Sequence, residues 1–235
     1  MIEIIGLITA RGNSKSIPQK NIKILAGRPL IAWTIEVALQ CKDLSRVIVS
    51  TDDEKIAEVS RQWGAEVPFV RPTEFAQDDS SHISVVSHAI HWLKEKERCS
   101  PDYIMLLQPT SPFRTVEDIQ TVIQLAKEHQ AVAVVSVCEA TKHPYKTYKL
   151  TENGTLEYFI PSNIEYLYRQ ALPKVYEENG AIYLNKRSSL LKNKTFLPKG
   201  TLPYIMPEER SLDIDTPWDF YVAELVLRNQ RNIEK

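Results

Sequence analysis

Four short stretches of this chain carry side chains whose types and spacing can do chemistry. TARGNSKSIPQKN (9–21) sets Arg11, Lys15 and Lys20 on a loop rich in Gly, Ser and Asn. Such a loop exposes backbone N–H groups that cradle phosphate, while its cations neutralise the charge. It lacks the second glycine and the Gly-Lys-Ser/Thr ending of a Walker A loop, and it is not a dinucleotide fingerprint. Three cations on an average loop would read as a solvated turn; position after the first strand of an α/β sheet reverses that preference. RPTEFAQDDSS (71–81) offers Arg71 and the hydroxyls of Ser80 and Ser81, directional donors suited to a base or ribose. Ser81 equally suits a helix N-cap.

LQPTSPFR (107–114) places Gln108 at a strand tip, followed by two prolines and Arg114. This is either a rigid site wall or a stiff connector. In SLDIDTPWDF (211–220), Asp213 and Asp215 are two residues apart, so on an extended segment both carboxylates point to one side. Paired carboxylates are hard oxygen ligands suited to Mg²⁺ or Mn²⁺, and a divalent ion held this way also binds substrate phosphates. Asp215 could instead cap the last helix, with Pro217 in its first turn.

Other constellations fail on spacing. His82, His88 and His91 share one helix with Cys99 nearby but match no zinc pattern, and a solvated helix face accounts for them. The Gly-x-Ser-x-Gly elbow of the hydrolases is missing. Lys plus Arg (29) nearly balances Asp plus Glu (30), so bulk charge suggests no nucleic-acid or membrane partner, and an anionic ligand needs a local cationic cluster. The apolar runs are too short to span a bilayer. The N-terminal MIEIIGLITARGN has no basic n-region or cleavage site, and the three cysteines form no framework, so a cytoplasmic protein is expected.

An α/β alternation must position these residues. Strands are expected at 2–10, 46–51, 65–70, 103–108, 131–137 and 180–186. Helices are expected at 29–40, 53–63, 82–96, 115–129, near 187–193 and from about 216. The 82–96 helix should turn Ile83, Val86, Ile90 and Leu93 inward and Ser84, His88, His91 and Glu95 outward. This alternation implies a mostly parallel sheet covered on both faces, with ligands beyond the carboxyl ends of its strands. The rhythm breaks near residue 140, where 145–160 reads as a hairpin on a type I′ turn at Asn153-Gly154. Six of the ten tyrosines fall at 145–176, which suits a subunit interface or a locally packed flap.

Taken in order, ARGNSKSIPQKN, RPTEFAQDDSS, LLQPTSPFRT, HPYKT, RQALPKVYEENGAIYLN and SLDIDTPWDF resemble the CMP-sialic acid synthetases (acylneuraminate cytidylyltransferases) from Ile4 to about Leu225. The resemblance implies a single nucleotidyltransferase domain over 1–235, Rossmann-like and of GT-A type, with 140–178 as a protruding dimerisation segment of a homodimer. It implies transfer of CMP from CTP to an acidic nine-carbon sugar. Arg11, Ser14, Lys15 and Lys20 would then hold the triphosphate, with Asn21 near the cytidine and Arg71 and Ser81 at base or ribose. Asp213 and Asp215 would hold the divalent ion. Gln108, Lys146, Arg169 and Tyr183 would face the sugar, and Phe196-Leu197 would stand at the position contributed by a partner subunit.

Three departures from the family pattern stand out. Asn13 and Ser16 replace loop glycines, Thr9 replaces a proline, and Leu197 stands where a second aromatic is usual. The last makes a di-N-acyl acceptor such as legionaminate a candidate beside N-acetylneuraminate. The rival readings are a CMP-Kdo synthetase, a hexose-1-phosphate nucleotidyltransferase and a non-catalytic nucleotide-binding homologue.

Overall fold

The computed structural model describes residues 2–77, 80–161 and 172–233. The chain begins with β1 (Ile4–Thr9), a loop, and a short 3-10 turn at Lys20–Ile22. A small hairpin follows, β2 (Ile24–Leu25) and β3 (Arg28–Pro29), and leads into α1 (Leu30–Gln40). Then come β4 (Arg46–Ser50), α2 (Glu54–Gln62), α3 (His82–Lys96), β5 (Tyr103–Leu107), α4 (Val116–Glu128) and β6 (Ala133–Glu139). A second hairpin, β7 (Tyr148–Leu150) and β8 (Leu156–Tyr158), precedes β9 (Tyr176–Lys186), α5 (Arg187–Asn193), β10 (Leu202–Ile205) and α6 (Pro217–Ile233). Among the described residues, no helix is long and apolar enough to cross a membrane.

Among the described residues the main sheet has six strands in the order β10-β6-β9-β5-β1-β4. β1 pairs in parallel with β4 and β5, β10 pairs in parallel with β6, and β9 alone runs antiparallel to both neighbours. Successive side chains of a strand alternate between faces, and two cores result. Ile4, Ile8, Val47, Val49, Met105 and Leu107 pack under α1, α2 and α4. Ile5, Leu7, Ile48, Ile104 and Leu106 pack under α3 and α5. Burying each such aliphatic side chain is worth roughly 1.5–3 kcal/mol, which is why register is so firmly set.

The helix starts follow from their caps. Asp53 accepts from Lys55 N and Ile56 N to open α2, Ser81 accepts from Ser84 N to open α3, and Thr115 with Asp118 forms a capping box on α4. Several local expectations are corrected. Residues 65–70 make only isolated parallel bridges, Ile48 with Glu66 and Thr51 with Val70, since Pro68 between them cannot donate a ladder bond. The 151–155 connection is not a type I′ turn: Gly154 N donates to Thr151 O at 3.0 Å, and Gly154 alone takes positive φ. That is a type I turn closed by a left-handed residue, the usual three-residue hairpin loop. In α3, Val85 and Ala89 join the buried face, and His88 is half-buried against Phe69 and Phe75 rather than pointing to water.

Candidate active site

A cleft of about 340 Å³ opens beyond the carboxyl ends of β1 and β5. Its walls include Arg11, Lys20, Asn21, Arg71, Gln108 and Asp215, so residues from all four stretches meet there. A third, smaller core holds the stretches together. Ile17 of the first loop, Phe113 after the proline turn and Ile214 between the two aspartates are all buried in it with Leu25, Leu30 and Phe220. Each of these three segments thus drives one apolar side chain into a shared anchor while its polar neighbours face the cleft.

The first loop is pinned from both ends. Asn21, itself buried, donates from Nδ2 to Arg11 O at 3.0 Å, and Lys20 Nζ donates to Ile214 O at 2.7 Å and lies 3.4 Å from Asp215 Oδ1. The left-handed residue that lets the loop turn is Gln19 (φ 52°), not Asn13. Ser14 is half-buried and Lys15 exposed, and neither lines the cleft. Arg71 is buried, with its Nη2 3.2 Å from Asp52 Oδ1 and no partner for Nε. Burial pulls its pKa down, partly offset by Asp52 and reinforced by the like charge of Arg11. Ser81 spends its hydroxyl on capping α3, and Ser80 lines the cleft instead.

The aspartate pair rests on a distortion of β9. Between Val135 and Val137 the register of β6 against β9 shifts, leaving residues 179–182 opposite Ser136 alone as a bulge. Ser136 fills it, donating to Asn179 Oδ1 at 2.7 Å and accepting from Ile182 N at 2.8 Å. Gly180 (φ +73°) lies so close to Asp213 that a Cβ there would stand 3.2 Å from Oδ2 and 3.5 Å from Gln108 Oε1. Ile214 N donates to Thr110 O at 2.9 Å, tying the aspartates to the proline turn. Farther back, Arg210 and the Tyr204 hydroxyl both bond the fully buried Asp118 carboxylate, at 2.8 and 2.7 Å. Burial opposes that charge, but the bonds from Arg210, Thr115 and Tyr204 hold its pKa below the ordinary value.

The cap of α6 is Thr216, which accepts from Asp219 N, while Asp219 accepts from Thr216 N at 2.7 Å. Asp215 is thereby released from capping and stands exposed at the cleft. Asp213 is half-buried, and its Oδ1 has no hydrogen-bond partner. Burial first, then the charges of Asp215 and Asp219, push its pKa up against the pull of Thr110 and Lys20. An orphaned oxygen on one of two adjacent carboxylates fits a divalent cation.

The sugar-side expectations are more scattered. Tyr183 is buried below the cleft floor against Phe196, with ring centroids 5.4 Å apart; burial, Glu178 and Asp213 raise its pKa. Lys146 ends a short 3-10 turn and is exposed, Leu197 is exposed, and neither lines the cleft. Arg169 lies outside the described residues. Thr110, His82, Phe75, Gln77 and Asp52 belong to the site or its support without having been singled out for it. His82 lines the wall beside Arg71 and Arg11, and burial and those two cations lower its pKa. Arg114, buried, ties the proline turn to β9 through Ala181 O (2.9 Å) and Gln108 O (2.8 Å). Burial lowers its pKa to about 9, so it remains a cation.

The family model described as cytidylyltransferase matches residues 5–215. The CMP-N,N'-diacetyllegionaminic acid synthase of Legionella pneumophila is 36% identical over 230 residues, covering 96% of this chain and 97% of that one. The N-acylneuraminate cytidylyltransferase of Escherichia coli is 35% identical over 99% of this chain and 54% of its own length. A CTP complex of CMP:2-keto-3-deoxy-manno-octonic acid synthetase superposes with a TM-score of 0.70 at 19% identity, covering 97% of this chain and 99% of that one, a likeness of fold. The matched span runs from β1 to Asp215 and takes in every wall of the cleft: the chain belongs to the cytidylyltransferase family.

Proposed function

We propose that this chain transfers CMP from CTP to the anomeric 2-hydroxyl of a nonulosonic acid, N-acetylneuraminate or a di-N-acyl relative such as legionaminate, releasing pyrophosphate. The observation that carries the reading is the convergence of Arg11, Lys20 and Arg71 with Asp215 on one cleft at the strand ends, inside the span matched by the cytidylyltransferase family. The relatives named for legionaminate and N-acylneuraminate give the sugar class.

The reaction asks for positioning and charge neutralisation rather than a protein nucleophile. Arg11 and Lys20 hold the triphosphate, Arg71 serves the base or ribose, and Gln108 lines the same cleft for the sugar. The sugar hydroxyl oxygen bonds to the α-phosphorus as the bond from that phosphorus to the bridging oxygen breaks. Pyrophosphate departs, and the hydroxyl proton passes to the Asp215 carboxylate or to a water. Asp213 and Asp215 are the residues to hold Mg²⁺ or Mn²⁺, which would neutralise phosphate charge there.

The working form is a cytoplasmic homodimer. Leu150, Leu156, Phe159 and Tyr176, all exposed, give the 140–178 segment an apolar surface suited to a second subunit, and the cysteines are free thiols. Lys146 and Phe196-Leu197 then act at the sugar of a site shared between subunits. The deciding assay is pyrophosphate release from CTP and Mg²⁺ with N-acetylneuraminate, legionaminate, pseudaminate or Kdo, with ATP, GTP and UTP as controls. Turnover with CTP and one nine-carbon acid is expected. Kdo as best acceptor would overturn the sugar class, and no turnover with any acid would overturn the enzyme reading.

A further inference from the structure

Just past β4 the chain reads Thr51-Asp52-Asp53 and runs between the first loop and the segment ending at Arg71. The two acids have different employment. Asp53 caps α2 through Lys55 N (2.8 Å) and Ile56 N (3.2 Å). Asp52 caps nothing: its Oδ1 accepts from Gly12 N at 3.2 Å and from Arg71 Nη2 at 3.2 Å. One carboxylate oxygen therefore joins the phosphate-loop backbone to the buried guanidinium. The approach is close, since a Cβ on Gly12 would stand 2.7 Å from Asp53 Oδ2. Backbone bonds fix the carrier on both sides, Ala10 N to Ser50 O at 3.1 Å and Arg71 N to Thr51 O at 2.7 Å.

We propose that Asp52 is a positioning residue for the nucleotide, setting the first loop and Arg71 at the separation at which both close on one ligand. The inference rests on the CTP reading above. The Arg71 side chain is 3% exposed, and Asp52 is its one ion-pair partner among the described residues. A buried guanidinium without a counter-charge is costly and would turn toward water or collapse onto the ligand. Held by Asp52, it stays at the cleft wall, with Nε unpartnered among the described residues. The same carboxylate holds Gly12 N and so fixes the turn from which Arg11 enters the cleft. Asp52 itself does not line that cleft, so its effect on nucleotide passes through Gly12 and Arg71.

The test measures CTP binding by calorimetry without sugar, and steady-state constants for both substrates, in wild type, Asp52→Ala, Asp52→Asn, Arg71→Ala and the Asp52→Ala/Arg71→Ala double variant. Removing a charge-assisted bond at a buried arginine should weaken CTP binding by about 10-fold or more in Asp52→Ala. The sugar KM, and kcat at saturating CTP, should stay within about 2-fold because those residues are untouched. Asp52→Asn keeps an acceptor at the same atom but not the counter-charge and should recover part of the loss; it also carries the test if the alanine variant does not fold. The double variant should lose less CTP affinity than the two single losses combined, since the residues share one contact. What it loses beyond Arg71→Ala reports the Gly12 bond, and full additivity overturns the coupling. A lower Tm with unchanged CTP affinity in Asp52→Ala, or an asparagine variant no better than alanine, overturns the proposal. A wild-type chain that binds no CTP overturns the cytidylyltransferase reading itself, and the Asp52 role with it.

Discussion

The cleft and the β7–β8 hairpin are built on opposite plans. Around the cleft, Arg71, Asn21 and Arg114 are buried polar residues with defined partners, and three of the four site segments send an apolar residue into one small core. On the hairpin, Leu150 and Leu156 face each other in register yet remain 72% and 67% exposed. Lys146 is exposed beside it. The cleft is walled within one chain, whereas Lys146 and Leu197, expected at the sugar, are left at the surface. The contrast teaches that one region is packed and internally bonded while the other leaves apolar surface open, and on the proposed function variants should separate the two.

The largest effect should come from Lys20→Ala, which removes a cation and a tie to Ile214 O. The value of kcat/KM for CTP should fall about 100- to 1000-fold with the oligomeric state unchanged in sedimentation. A mild loss would break the idea that the nucleotide half is preorganised. Next, Leu150→Asp with Leu156→Asp should turn a dimer into a monomer and raise the sugar KM by roughly 10-fold or more, with CTP affinity nearly unchanged. A dimer of normal activity would erase the distinction between the two regions.

Asp118→Asn should cost about 2–3 kcal/mol of stability at pH 7 in denaturant unfolding, because it leaves Arg210 and Tyr204 facing a weakened acceptor. The folded-state pKa of Asp118 lies below the unfolded one, so its contribution is fully present above about pH 4. It is lost as pH falls through the folded value, and the gap between variant and wild type should close there. The smallest effect is expected of Leu197→Phe, a change of acceptor preference of roughly 10-fold or less with no change in CTP constants, read from competing acceptors.

Legibility in the sequence divides along similar lines. Helix 82–96 could be placed to the residue because Ser81 caps it and Val86, Ile90 and Leu93 keep one face apolar. Arg11, Lys20, Arg71, Gln108 and Asp215 could be found because each follows a strand or extended segment in an α/β alternation, where ligands bind. Asp52 was hidden because Asp-Asp before a helix reads as a cap, and only geometry separates the capping acid from its neighbour. His88 was misplaced since helical periodicity does not register the aromatic rings of Phe69 and Phe75 above that face. Thr216 took the cap that Asp215 could have supplied, a choice between adjacent residues that propensity does not resolve.

The bulge in β9 has a further consequence. β6 leaves the sheet at Glu139, and β9 re-enters at Tyr176 and runs eleven residues to Lys186, with the distortion at Asn179–Gly180 between the excursion and the regular pairing with β5. Twist introduced by a changed excursion can be absorbed at that kink before it reaches the floor of the cleft. The segment is therefore expected to be exchangeable: a chimera joined at Glu139 and Tyr176 should fold with the β5–β9 pairing and the cleft floor intact, read from its Tm and its CTP affinity.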